Sequence, residues 1–372
     1  MVKVATEITP DLVNILFNNS PLPDREGRFP HENISVLKDV RAFSLLVPQR
    51  YGGAACSVSD ATSYAINLGG GCLSTALIWA MHSQQVATIA QMTGNRVSEV
   101  LADVTNQKLV ASVTSEYEGG ADLMTSNSPV FLKGEMIEVR RRAPVVSYAS
   151  EADYFLMKMR ETEDAAITKI CALLISKTEI NIEPLGAWNA MGMRGTQSIP
   201  VFFSGLIKPE CLLEGDFKKT INSTMIPIGH LLWAASWYGA ARFSLKRVLK
   251  IIPRRKLDSS EISLCTLSRI RMKLDAIAAM IEKGQRLLET KSGRFETHEM
   301  IFFNNLKIIS SSYCFEVLRD LVEIAGIRDG FLQDSNTGLE RVFRDISAAS
   351  LMFPNDRIRV INGRLALFDN IF

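Results

Sequence analysis

The chain has 372 residues, of which 47% are apolar and 22% charged, and its net charge at pH 7 is +2. This balance excludes a disordered or coiled-coil chain, and a nearly neutral charge gives no electrostatic basis for nucleic-acid binding. Apolar runs are far shorter than the ~20 residues of a membrane span, and residues 1–10 do not resemble a signal peptide. We therefore expect a cytoplasmic protein with reduced cysteines and with no membrane or nucleic-acid partner.

Helical periodicity marks the first part of the chain. Apolar residues recur at spacings of three and four from about residue 11 to residue 103. The sequence pattern changes at about residue 108, where short runs rich in β-branched and aromatic residues begin. These runs predict six to eight strands, which we expect to be antiparallel because their connections are short.

The helical pattern returns after residue 216. Its candidate helices cover residues 224–250, 260–290, 296–325 and 339–352, with lengths typical of an antiparallel bundle. The sequence thus predicts an α+β protein of three domains. These are an N-terminal α-helical domain over residues 1–106, a middle antiparallel β domain over 107–216 and a C-terminal four-helix bundle over 217–372.

Most sequence signatures of catalysis are missing. The chain has no glycine-rich dinucleotide or phosphate loop and no serine nucleophile elbow. The four histidines are widely spaced, so no metal site is expected. Two basic clusters, at residues 140–142 and 254–256, could bind phosphates, but we interpret them as solvated turns between elements.

Five segments resemble those of the acyl-CoA dehydrogenase superfamily, in the same order and at close to the same spacing. They are residues 47–53 (VPQRYGG), 73–82 (LSTALIWAMH), 113–122 (VTSEYEGGAD), 188–196 (WNAMGMRGT) and 343–345 (FRD). The resemblance covers almost the whole chain. It implies the acyl-CoA dehydrogenase-like fold, a flavin cofactor, and a homodimer or homotetramer formed through the C-terminal bundle.

The resemblance also implies where the flavin would bind. Thr114, Ser115 and Ser147 match positions that hydrogen-bond the flavin ring, and Val145 stands where the family usually has a tryptophan. The implied cofactor is FAD. Because the segments that bind the dinucleotide half are blurred here, reduced FMN or FAD supplied by a reductase is the alternative.

The catalytic glutamate of the family has no counterpart in this chain. A dehydrogenase removes a proton from its substrate while a hydride is transferred to the flavin. Because that proton is only weakly acidic, a positioned carboxylate must accept it. The family places its glutamate either shortly after the YRD segment, where Phe353 stands, or early in the first bundle helix, where Gly229 and His230 stand. Asp356 is the acid nearest the first position and is the candidate for a relocated base.

With these departures from the family pattern, the chain resembles a side branch of the superfamily. This branch consists of flavin-dependent monooxygenases similar to dibenzothiophene monooxygenase and the amino-sugar N-oxygenases. Such enzymes lack the glutamate, take reduced flavin from a separate reductase and react it with oxygen. His82 falls where the first of these often has a histidine, so it is a candidate catalytic residue. The alternative is that His82 is a hydrogen-bonded core histidine.

Three functions stay open at this point. The first is a flavoenzyme that oxidises or oxygenates a small substrate, or one bound to CoA or a carrier protein, in specialised biosynthesis. The second is an acyl-CoA or acyl-carrier-protein dehydrogenase with Asp356 as its base. The third is a non-catalytic subunit that keeps the flavin fold.

Overall fold

The computed structural model describes residues 9–118, 122–252, 260–291 and 293–369. In the described residues before the first strand, the regular elements are helices, as the periodicity predicts. They are α1 Pro10–Asn19, α2 Pro21–Glu26, α3 His31–Asp39, α4 Val58–Gly71, α5 Leu73–Ile89 and α6 Asn95–Thr105. Helix α5 is apolar and buried on almost every side. It therefore lies inside the molecule, and its few polar side chains need partners or a cavity.

Seven strands follow in the described residues, and they form two sheets. The strands are β1 Val110–Val113, β2 Phe131–Lys133, β3 Met136–Val146, β4 Tyr154–Arg160, β5 Ile170–Ser176, β6 Asn181–Pro184 and β7 Ile199–Ile207. One sheet has the order β1-β4-β5 and the other the order β2-β3-β7-β6.

All neighbouring strands are antiparallel except β1 and β4, which run parallel with Val110 opposite Tyr154. The prediction of antiparallel pairing was wrong for this pair. Its premise was a short connection, whereas the chain between β1 and β4 crosses to the other sheet and forms β2 and β3 there. This detour supplies the length that a parallel connection requires.

Helices again occupy the chain after the last strand. They are α7 Phe217–Thr220, a π-helical turn Ile221–Met225, α8 Ile226–Ile251, α9 Glu261–Lys291, α10 Thr297–Gly326, α11 Leu339–Ile346 and α12 Asn355–Ala366. Helix α8 packs against α9 and α10 on one side and against α4 and α5 on the other. It therefore joins the C-terminal helices to the N-terminal ones.

The long C-terminal helices agree with prediction to within two residues at each end. The last predicted helix, over residues 339–352, was too long. Helix α11 ends at Ile346, and turns lead from there to α12. Phe353 in this stretch has a φ of +47°, a backbone conformation that no helix contains.

The 188–196 and 343–345 segments contact each other across the β and helical layers. The backbone N–H of Met193 donates to Oδ1 of Asp345 at 2.5 Å. A Cβ placed on Gly192 would lie 2.0 Å from the carbonyl oxygen of Arg344, so only glycine fits there. Both segments therefore hold the layers together, whatever chemistry occurs nearby.

The sequence of helical, β and helical layers confirms the predicted fold. The exact domain ranges stay a prediction. No helix in the described residues combines the length and hydropathy needed to cross a bilayer.

Candidate functional site

A pocket of about 360 Å³ lies where the β layer faces the helices. One side, which we call the strand wall, consists of Ser112, Thr114, Ser115, Pro144, Val145 and Ser147. The opposite side, which we call the helical wall, consists of Met81, Gln84, Gln85, Met225, Ile226, His230, Trp233 and the 351–354 segment. All four residues predicted to bind the cofactor therefore lie together on the strand wall.

Hydroxyl groups and an apolar surface alternate on the strand wall. Ser115 donates its hydroxyl to the carbonyl oxygen of Val145 at 3.0 Å, and the Val145 side chain is 45% exposed. The hydroxyl of Ser147 lies 2.9 Å from that of Ser198, which in turn lies 2.9 Å from that of Thr196. This wall fits the flavin ring, which has a flat apolar face and an edge of hydrogen-bonding atoms.

His230 lies in the helical wall and is neutral. It is 2% exposed, and its Nδ1 lies 3.2 Å from the carbonyl oxygen of Phe303. Burial lowers the pKa of His230 to about 3, with a further contribution from the positive charge of Lys307. A histidine with so low a pKa holds a proton poorly and is a weak general base at neutral pH.

Phe353 meets His230 in this wall, with their ring centroids 5.9 Å apart. These two residues stand at the positions where the sequence comparison placed the glutamate of the family. The structure thus brings both positions to one point of one pocket. Of the described residues that line this pocket, none is acidic and none is a lysine or arginine.

A buried lysine holds Phe353 in place. Lys307, which is 0% exposed, donates from Nζ to the carbonyl oxygen of Phe353 at 2.9 Å and to Oδ1 of Asn355 at 2.7 Å. Asn355 also donates from Nδ2 to Ser311 at 3.0 Å. Burial lowers the pKa of Lys307 to about 7. The network fixes the backbone of the 351–354 segment from behind the pocket.

The predicted catalytic role of His82 does not fit its surroundings. His82 is fully buried and does not line the pocket. Its Nδ1 accepts the backbone N–H of Val110 at 3.0 Å, so Nε2 carries the proton and donates to the carbonyl oxygen of Phe43 at 2.8 Å. Burial lowers its pKa to about 4. His82 is therefore a core histidine that joins α5 to β1 and to the 42–44 turn.

The relocated-base role of Asp356 does not fit either. The Asp356 side chain is 93% exposed and pairs with Arg359 at 2.6 Å in the first turn of α12. It does not line the pocket. A carboxylate in this position is fully hydrated.

Glu116, one of three acidic residues in the 113–122 segment, has a structural role. It is buried and pairs with Arg141, and it accepts hydrogen bonds from the Ser126 hydroxyl at 2.7 Å and the Asn127 N–H at 3.0 Å. Residues 119–121 of the same segment, and the basic cluster at 254–256, lie outside the described residues. The prediction of a solvated turn at residues 140–142 was wrong, because these residues lie within strand β3 and Arg141 is fully buried.

A second cavity of about 540 Å³ adjoins the pocket. Leu123, Ile226 and Phe353 line both cavities. The second cavity differs in charge, since Asp122, Lys219 and Arg294 are among its lining residues. A molecule that extends from one cavity into the other would thus pass from an uncharged lining to a charged one.

Sequence reasoning missed three polar residues of the helical wall, namely Gln84, Gln85 and Trp233. Gln84 donates from Nε2 to the carbonyl oxygen of Met225 at 2.8 Å and so ties α5 to the start of α8. Two adjacent amides in a helix with so high an apolar content are a signal that could have found them.

Comparison with known proteins agrees with this geometry. Residues 20–98 match the family model for the acyl-CoA dehydrogenase N-terminal domain. The chain is 21% identical over 373 residues to a cyclohex-1-ene-1-carbonyl-CoA dehydrogenase of Syntrophus aciditrophicus (strain SB), covering 97% of this chain and 86% of that protein.

Two solved structures share the whole fold. Butyryl-CoA dehydrogenase from Megasphaera elsdenii aligns with a TM-score of 0.83 and 15% identity, covering 98% of this chain and 99% of that one. The FMN-bound dibenzothiophene monooxygenase TdsC from Paenibacillus sp. A11-2 aligns with a TM-score of 0.81 and 20% identity, covering 98% and 96%. These comparisons show that the chain has the fold of butyryl-CoA dehydrogenase and of TdsC, and that residues 20–98 match the acyl-CoA dehydrogenase N-terminal domain.

Proposed function

We propose that this protein is a flavin-dependent oxidoreductase that oxidises or oxygenates its substrate without a carboxylate base. One observation carries the proposal. A wall of hydroxyls suited to a flavin faces, across a single pocket, a wall in which His230 and Phe353 hold both positions expected for the glutamate. FAD is the proposed cofactor, and FMN or FAD delivered in reduced form is the alternative.

Each wall has a separate task in this proposal. Thr114, Ser115 and Ser147 bind and orient the flavin ring, while Val145 supports its flat face. A bound flavin would supply the redox chemistry, by accepting a hydride or by delivering electrons to oxygen. Met81, Met225 and Phe353 keep water out of the space in front of it, which strengthens every polar interaction there.

The helical wall disfavours dehydrogenation that begins with proton abstraction. That reaction needs a base within hydrogen-bond reach of the substrate carbon. His230 is neutral with a pKa near 3, and Asp356 faces solvent. Among the similar proteins, this argument favours the reaction type of the monooxygenase over that of butyryl-CoA dehydrogenase.

The partners follow from the same proposal. The substrate is a small molecule or an acyl thioester on CoA or a carrier protein, and a separate reductase supplies reduced flavin. The C-terminal helices expose large apolar side chains, including Ile262, Met272 and Ile327. Such residues suit burial against a second copy, which supports a homodimer or homotetramer.

The decisive experiment measures flavin binding and reactivity of the purified protein. FAD and FMN are titrated in oxidised and in dithionite-reduced form without oxygen, and the bound flavin is then exposed either to butyryl-CoA or to oxygen. We expect the reduced flavin to bind and to consume oxygen, and we expect butyryl-CoA not to bleach bound oxidised flavin. Anaerobic bleaching would support the dehydrogenase instead. Failure to bind flavin in either state would indicate a non-catalytic subunit.

A further inference from the structure

Two polar atoms of the helical wall have no partner. The indole nitrogen of Trp233 and Oε1 of Gln85 are buried, and neither makes a hydrogen bond within the described residues. A buried polar atom without a partner costs about 1–3 kcal/mol. Both residues line the same pocket, one from α8 and the other from α5. A ligand is therefore the natural partner for both atoms.

The orientation of the Gln85 amide is set by its neighbour. Its Nε2 donates to Oε1 of Gln84 at 3.3 Å, while Nε2 of Gln84 is already committed to the carbonyl oxygen of Met225. Because Nε2 of Gln85 is used in this way, Oε1 is the atom left over. Gln85 thus offers an acceptor to the pocket, and Gln85 is 1% exposed.

Trp233 offers the complementary group. An indole N–H is a donor only. The Trp233 ring packs beside those of His230 and Trp237, with centroids 6.0 and 6.4 Å away. The donor is therefore carried by a side chain that packs against two other rings.

The surroundings of these two atoms are apolar and uncharged. Met81, Met225, Met352 and Phe353 line the same pocket, and its described lining includes no ionisable carboxylate, lysine or arginine. Both atoms also lie on the helical wall, opposite the hydroxyls proposed to hold the flavin. A substrate group rather than the cofactor is thus the expected partner.

We propose that Trp233 and Gln85 are specificity-determining residues that select an uncharged, largely apolar substrate carrying a hydrogen-bond acceptor for Trp233 and a donor for Gln85. A charged group at this point of the substrate is rejected, because the pocket holds no counter-charge for it. The use of this ligand as a substrate rests on the proposed function, but its binding does not.

The test uses four bicyclic probes of similar size, with binding measured by isothermal titration calorimetry at pH 8. Naphthalene has no polar group, quinoline has an acceptor, 2-naphthol has an acceptor and a donor, and 2-naphthoate is charged. We expect quinoline to bind about fivefold more tightly than naphthalene, and 2-naphthol about fivefold more tightly again. We expect 2-naphthoate to bind more weakly than naphthalene.

Two variants separate the roles of the side chains. Trp233→Phe should remove the advantage of quinoline over naphthalene. Gln85→Leu should reduce 2-naphthol to the affinity of quinoline and leave quinoline unchanged. Trp188→Phe and Gln91→Leu are matched controls, since Trp188 donates to Met193 outside the pocket and Gln91 is exposed beyond the end of α5. Neither control should change the order of affinities.

Three results would overturn this assignment: equal binding of naphthalene and 2-naphthol, tightest binding of 2-naphthoate, or no binding of any probe at millimolar concentration. The titrations are run with flavin absent and with flavin bound. A protein that binds no flavin yet discriminates the probes would contradict the proposed function alone. A protein that binds flavin and does not discriminate them would contradict the present inference alone.

Discussion

The two walls of the pocket differ in what they share with the superfamily. The strand wall has hydroxyls at the expected positions, with Val145 as the one replacement. The helical wall has the expected geometry but different chemistry, since a neutral imidazole and a phenyl ring meet where a carboxylate was expected. In the proposed function, cofactor binding and reaction type are therefore carried by different layers of this fold, so one can change without the other.

Lowering the pH should produce the largest effect, a loss of folding stability. Two buried histidines, one next to each wall, should cause it. His82 supports β1 and His230 lies in the helical wall, with pKa values lowered to about 4 and about 3. Below pH 6.5 these two histidines bind protons in the unfolded chain but stay neutral in the folded chain. The free energy of unfolding therefore falls as the pH falls. We expect the free energy of unfolding to drop by roughly 1 kcal/mol per pH unit for each histidine between pH 6 and pH 4.

Urea denaturation across this pH range tests the expectation. His82→Gln and His230→Gln should each reduce the slope by roughly 1 kcal/mol per pH unit, because glutamine does not titrate. Burial raises the pKa of Asp345 to about 7, so that carboxyl contributes a slope of opposite sign, which both substitutions leave in place. His31→Gln is the control, since that ring is largely exposed. A slope that neither substitution changes would show that the buried histidines are not the groups that titrate.

The second-largest effect is expected from the loss of Lys307, which should change ligand binding at the helical wall more than flavin binding at the strand wall. Lys307→Met leaves the carbonyl oxygen of Phe353 and Oδ1 of Asn355 short of a donor, although it also removes a costly buried amine. We expect a net loss of about 2 kcal/mol of stability and an altered probe affinity on the helical wall, with flavin affinity changed less than twofold. The exposed Lys246→Met is the control. A large loss of flavin affinity would show that the walls are not independent.

A smaller effect is expected on the strand wall. Ser147→Ala removes the hydroxyl at the end of the chain that runs through Ser198 and Thr196. One hydrogen bond contributes about 1 kcal/mol, so the Kd for flavin should rise about fivefold while stability stays nearly constant. Fluorescence titration with FAD and FMN measures this change. Ser59→Ala, at an exposed position of α4, should leave the Kd unaltered.

The smallest effect is expected at Asp356. Asp356→Asn removes a solvent-exposed carboxylate that pairs only with Arg359. Turnover should stay within twofold of the unsubstituted protein, as measured by oxygen consumption with reduced flavin. A general base contributes 10²–10⁴-fold to rate, so a decrease of a hundredfold would identify Asp356 as the relocated base.

The strand wall could be predicted from sequence because its residues lie within short segments. Thr114 and Ser115 are neighbours, and Val145 and Ser147 are two residues apart, so a local pattern fixes them. His82 could not be placed this way, since its partners Phe43 and Val110 are 39 and 28 residues distant along the chain. Gln85 and Trp233 were missed for a related reason. Which face of a buried helix meets a cavity depends on how α5 and α8 pack, and periodicity carries no information about this when every face is apolar.

Lys307 bonds to the main chain of residue 353 and not to its side chain. Whatever side chain stands at that position is consequently presented at the same spot, facing the imidazole of His230. A substitution at position 353 would therefore change the group that faces His230, while the hydrogen bonds that hold the backbone there stay intact.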